Sequence, residues 1–122
     1  MATGVVNLGE KFALIDERWS PRIAARINDM YLKLVRVKGE FVWHTHTETD
    51  EFFYIHRGEL TIELKDRGSV DLHAGEFFVV PRDVEHRPIA SEDCELVLIE
   101  PAGTLNTGDV GGSLTAPEDR WV

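Results

Sequence analysis

Turn-forming residues recur roughly every 8–12 positions along this chain, and a short apolar run fills each interval. Ser20-Pro21, Asn28-Asp29, Lys38-Gly39, Arg57-Gly58, Asp66 to Ser69, Gly75 and Pro81 are the breaks. The runs between them are Phe12 to Asp16, Arg22 to Ile27, Tyr31 to Val37, Phe41 to His46, Glu51 to His56, Glu59 to Leu64, Val70 to Leu72, Glu76 to Val80, Arg87 to Ala90 and Cys94 to Glu100. The clearest is Glu59-Leu60-Thr61-Ile62-Glu63-Leu64, which places Leu60, Ile62 and Leu64 on one face and Glu59, Thr61 and Glu63 on the other. That period of two is the signature of a half-buried strand. About ten short strands at this spacing predict an all-β, antiparallel sandwich or barrel with little or no helix. Residues 22–27 read alternatively as a helical turn, because Ala24, Ala25 and Arg26 favour helix.

The chain has 122 residues, the size of one domain with one core. The expected layout is a single domain over 1–122, with N-terminal strands over 5–30, a barrel core over 31–100 and an extended tail over 101–122 laid on the barrel surface. The formal charge is −9, from 22 acidic and 13 basic side chains, and there is no basic run. Such a surface repels nucleic acid and anionic membranes, whose affinity for proteins comes mainly from Lys and Arg. Cys94 is the one cysteine, so no intrachain disulfide forms. Met1 to Val6 carries no basic stretch followed by an apolar core, so no signal peptide is read there. The expected location is the cytoplasm.

The chemistry gathers in the middle of the chain. His44 and His46 stand two apart in a predicted strand, so both imidazoles project to one side. Glu51 opens the next run after a four-residue loop. If the two runs pair in a hairpin, its carboxylate reaches both imidazoles, giving ligand types that suit a transition metal. A His-x-His pair alone fits an exposed or hydrogen-bonded pair equally well.

The flanking residues carry a resemblance. Gly39, four residues, His44-Thr45-His46, four residues, Glu51, six residues and Gly58 is similar to the first cupin motif. Gly75, five residues, Pro81-Arg82-Asp83, two residues and His86 is similar to the second. The resemblance covers about residues 31–100 and is to small single-domain cupins of the cupin-2, conserved β-barrel type. It implies a double-stranded β-helix, or jelly-roll, barrel. It also implies one divalent transition metal (Fe, Mn, Zn or Ni) on His44, His46, Glu51 and His86. Three departures stand out. The gap after Gly39 is one residue short, Asp83 replaces a glycine, and Ala90 stands where the motif has Asn. None removes a ligand, and Asp tolerates the left-handed backbone that a turn at 83 needs.

Small cupins are commonly homodimers, and outward aromatics at Phe52 and Tyr54 suggest such an interface. His56 falls on the face opposite Glu51, and His73 precedes a turn, so both are read as surface or interface residues. Leu60, Ile62, Leu96 and Leu98 are expected in the core, and Cys94 is expected to be buried. Tyr31 and Glu100 are the candidates for acid–base roles, and Arg36, Trp43 and Arg87 for pocket lining. The implied function is a metalloenzyme acting on a small oxygen-rich molecule, as a dioxygenase or as a sugar or keto-acid isomerase, lyase or decarboxylase. The alternative is a non-catalytic module that binds or senses a small ligand. The expected partner is a small molecule, with neither nucleic acid nor membrane.

Overall fold

The computed structural model describes residues 4–122. Met1 to Thr3, half of the N-terminal stretch read above, lie outside the described residues. One short helix, α1 (Leu8–Phe12), precedes seven strands among the described residues: β1 (Arg22–Ile27), β2 (Met30–Glu40), β3 (Glu51–Arg57), β4 (Glu59–Leu64), β5 (Gly68–His73), β6 (Phe77–Val80) and β7 (His86–Pro101). Every strand pairing is antiparallel, in the order β1-β2-β7-β3-β6, with β4 bonded to both β5 and β7. This is the all-β, antiparallel barrel that the turn spacing implies. No helix among the described residues is long and apolar enough to cross a membrane.

β7 accounts for one of the three differences between the seven strands and the ten runs. Arg87 to Ala90 and Cys94 to Glu100 are one 16-residue strand. Its first part pairs with β4 and the end of β2, its second with β2 and β3. The register slips between Val37 and Gly39 and between Ile55 and Arg57, and such bulges let paired strands bend without ending the ladder. Residues 22–27 are strand β1, not a helical turn.

Two other runs are not strands. Phe12 ends helix α1, and the residues to Asp16 are turn and loop. Asn7 caps that helix by accepting the Glu10 amide, and Phe12 and Leu8 pack one turn apart into an outer apolar cluster with Ile15, Ala24, Leu34 and Val97. Within Phe41 to His46, the only bridge is between His44 and His86. The neighbouring carbonyls bond elsewhere: Thr45 accepts from Asp109 N, and His46 from Asp83 N. With these carbonyls turned to loop partners, the pairing of His44 with His86 remains an isolated bridge.

The inner core follows the alternation. Val35 and Val37 of β2, Phe53 and Ile55 of β3, Leu60, Ile62 and Leu64 of β4, and Leu96 and Leu98 of β7 form one buried cluster. Burying each such side chain contributes roughly 1.5–3 kcal/mol. Gly58 joins β3 to β4 at φ +92, and a Cβ there would lie 2.7 Å from the Asp93 carbonyl oxygen. Only glycine lets this turn press against β7. Asp83 adopts φ 68, so the turn of the second motif forms with aspartate in place of glycine.

The tail is tied into the molecule. Ile23 N donates to Arg120 O, Val122 N donates to Ile23 O, and Thr107 is fully buried. The chain beyond β7 therefore returns to β1.

Candidate metal centre

His44 and His86 sit opposite each other across their isolated bridge, each amide bonded to the other's carbonyl at 3.0 and 2.9 Å. Each Nδ1 lies 2.9 Å from a carbonyl two residues back, Val42 for His44 and Val84 for His86. A carbonyl accepts only, so Nδ1 carries the proton and Nε2 presents its lone pair inward. His46 lies two residues on. The ligand atoms of the three histidines all fall within 4.8 Å of one another, and all three residues are buried.

Glu51 arrives from the start of β3. The route is not a hairpin with the His44 segment, because β3 pairs with β6 and β7. Its buried carboxylate touches His46 through Oε2 and Nε2. His46 Nε2 and Glu51 Oε2 face each other, and His86 Nε2 is buried with no hydrogen-bond partner. Orphaned donor and acceptor atoms at this depth cost several kcal/mol unless something else binds them.

The electrostatics favour neutral imidazoles at His44 and His86. Burial lowers the His44 pKa to about 4, with His86 adding to the fall, and burial also lowers His86. For His46, burial opposes the charged form, but the Glu51 carboxylate outweighs it and raises the pKa. Burial works against the Glu51 charge too, yet His46 and the other two histidines hold its pKa below the usual range.

A family model described as a cupin domain matches residues 32–100. The crystal structure of a cupin-2 domain containing protein from Shewanella frigidimarina is 48% identical, with a TM-score of 0.77 over 80% of this chain and 94% of that one. A crystal structure from Neisseria meningitidis is 37% identical, with a TM-score of 0.74 over 80% and 99%. The Bacillus subtilis protein YdbB is 35% identical over 63 residues, 52% of this chain and 56% of that one, so this chain spans little more than half of that relative. This chain belongs to the cupin family.

Two openings approach the histidines of this cupin. One is an apolar cavity of about 30 Å³ that ends on His44 and Glu51. Leu96 and Leu98 line it, while Leu60 and Ile62 stay in the core. The other is a polar cleft of about 400 Å³ between the Thr45 to Thr49 loop and the tail residues Pro101 to Asp109, touching His46. There, a Cβ on Gly108 would collide with the carbonyl oxygen of Thr45 and stand 3.4 Å from His46 Nδ1. The tail thus lies directly against the loop that carries His46.

Of the other candidates, Glu100 alone interacts electrostatically with His46 and Glu51. Tyr31 packs edge-on against Trp121, with ring centres 5.8 Å apart. Arg36 donates to Ile15 O, and Arg87 pairs with Glu63 while its guanidinium covers Trp43 on the outer surface. His56 stacks on Phe12, and His73 faces Glu59 and Glu76 at the surface. Glu100 is fully buried and paired with Lys33 at 3.0 Å. Burial and the charge of Glu51 push its pKa up to about 7 against the pull of Lys33. Sequence reasoning passed over Lys33. The available signal was parity: Lys33 shares its face with Val35 and Val37, as Glu100 shares its face with Leu96 and Leu98.

Proposed function

We propose that this cupin is a metalloenzyme that holds one divalent transition metal, Fe, Mn, Zn or Ni, on His44, His46, His86 and Glu51 and acts on a small oxygen-bearing molecule. The observation that carries this is the convergence of three buried imidazoles beside Glu51, with His46 Nε2 facing Glu51 Oε2 and His86 Nε2 left without a hydrogen-bond partner. The donor set fits: imidazole nitrogen and carboxylate oxygen suit these ions, and carbonyls behind His44 and His86 fix the ring orientation. When bound, such an ion supplies Lewis-acid chemistry, or redox chemistry in the case of iron, to an oxygen donor. The chain's own residues do the rest. Two neutral imidazoles need no deprotonation before they ligate, Glu51 offsets part of the ionic charge, and Leu96 and Leu98 exclude water from one side.

The test is elemental analysis of protein purified without chelator. About one metal per chain is expected, and it should be lost in a His44→Ala, His86→Ala double variant. Equal metal content in that variant would overturn the ligand assignment. Turnover is then sought with the metal-loaded protein across catechols, β-diketones, keto acids and sugar phosphates. No turnover with any metal would refute the enzyme reading and leave a ligand-binding cupin.

A further inference from the structure

The apolar cavity says more about the ligand than the histidines do. Of the residues that line it, only Trp19 and Asn106 keep partial exposure, so these two form its mouth. Its walls are Val35, Val37, Phe53, Leu96 and Leu98, and it ends on His44 and Glu51. No Lys or Arg lines it. Beyond an ion held by Glu51 and the histidines, a phosphate or carboxylate entering here would find no cation on the walls to replace its lost hydration. A polyol would lose most of its hydrogen bonds to the same walls.

Trp19 is held at the mouth against its own backbone preference. It adopts φ 58, a region that bulky residues rarely enter. Three hydrogen bonds fix it there: its amide to Arg36 O, its indole Nε1 to Lys38 O, and its carbonyl accepting from Asn106 Nδ2. The indole stacks on Phe41 at 4.6 Å, and Phe41 meets His44 edge-on at 5.3 Å. A strained residue locked by its surroundings at the entrance to a site points to function at that position.

We propose that the cavity takes a small, uncharged, flat molecule with an apolar body and one oxygen donor, and that Trp19 is the residue that selects it. The reading rests on the metal centre proposed above. At about 30 Å³ the cavity accepts only the oxygen-bearing edge of a ring. The body of the ring then lies on the part-exposed indole, where flat aromatic surfaces gain from offset stacking.

Calorimetric titration of the Zn-loaded protein tests this, with phenol as probe and lactate, glycerol and glycerol phosphate as competitors. Phenol should bind at least about tenfold tighter than any of the three. The Trp19→Ala variant should lose about tenfold in phenol affinity at unchanged zinc content, and Trp19→Phe should lose less. In wild-type protein, phenol should shift the Trp19 indole N–H resonance and leave those of Trp43 and Trp121 in place, a readout that needs no variant to fold. Tighter binding of an anion or polyol, or phenol affinity unaffected by Trp19→Ala, would overturn the proposal. So would a phenol shift at Trp43 or Trp121 alone. Metal is assayed on the same samples: protein that takes up none of zinc, iron, manganese or nickel refutes the metal centre, whereas zinc-replete protein that ignores phenol refutes only the ligand class.

Discussion

Gly108 offers a way to ask whether the tail belongs to the metal centre. Its φ is +58, and a Cβ there collides with the Thr45 carbonyl oxygen and lies 3.0 Å from the carbonyl carbon. The obstacle is backbone, so no rotamer change relieves it. In Gly108→Ala, the left-handed conformation costs about 1 kcal/mol. Moving the tail away breaks the two bonds that join Thr45 and Asp109, Asp109 N to Thr45 O and Thr45 N to Asp109 Oδ1, both 3.3 Å. At about 1 kcal/mol each, the total is about 3 kcal/mol, concentrated where the tail meets the His46 loop. Gly111→Ala is the control: its φ is +68 but nothing lies within 4 Å of the added carbon, so only the backbone term of about 1 kcal/mol applies. Zinc affinity, measured by competition with a chromophoric chelator, should fall at least about tenfold in Gly108→Ala and stay near wild type in Gly111→Ala. Amide exchange at Thr45 and Asp109 should quicken in the first variant alone. Equal zinc affinity and equal exchange in the two variants would refute the idea that the tail braces the His46 loop.

In the metal-free protein, the His44 pKa of about 4 lies below the unfolded value of 6.5, so the unfolded chain takes up the extra proton first. Stability should fall as pH drops from 6.5 to 4, by up to about 3 kcal/mol from this group, and denaturant midpoints in the presence of chelator should show a smaller fall in His44→Phe. Cys94 is fully buried, and burial raises its pKa to about 12, so a thiol reagent should modify it at the rate of unfolding and not before. Phe77 on the edge strand β6 is 62% exposed and its ring lies 5.3 Å from that of Phe52. The homodimer reading predicts a mass near twice 13.8 kDa in light scattering, falling toward the monomer in Phe77→Glu; a wild-type monomer at micromolar concentration would refute it.

What the sequence made legible was what depends on local period and spacing. Glu59 to Leu64 alternates because each side chain sees the same two environments in turn, and its buried positions are Leu60, Ile62 and Leu64. Glu51 and His56 fall on opposite faces of β3 for the same reason. The three histidines and Glu51 were visible as residue types at fixed intervals. The hairpin expected to unite them was not formed, because pairing partners are chosen across the whole fold. The long strand β7 read as two runs because Ser91, Glu92 and Asp93 are polar and exposed, although the ladder on either side carries the strand through them. Helix α1 was missed because five residues leave no measurable helical period, and its support comes from the Asn7 cap and the packing of Phe12.

The same division separates the histidine cluster of this cupin from the mouth of the cavity beside it. The histidines come from segments bonded directly to one another, and each motif fixes where on its segment a histidine stands. Trp19 and Asn106 stand 87 residues apart and meet through a hydrogen bond between a loop and the tail. Asn106 is held in turn by Leu114 O and Ala116 N, and the tail by its return to Ile23. No periodicity links these positions, and none of them belongs to the motifs. The mouth of the cavity is therefore free to differ wherever the loop and tail differ, while the metal centre beneath it stays the same. Ligand choice in such a barrel is then a property of the segments that sequence patterns describe least.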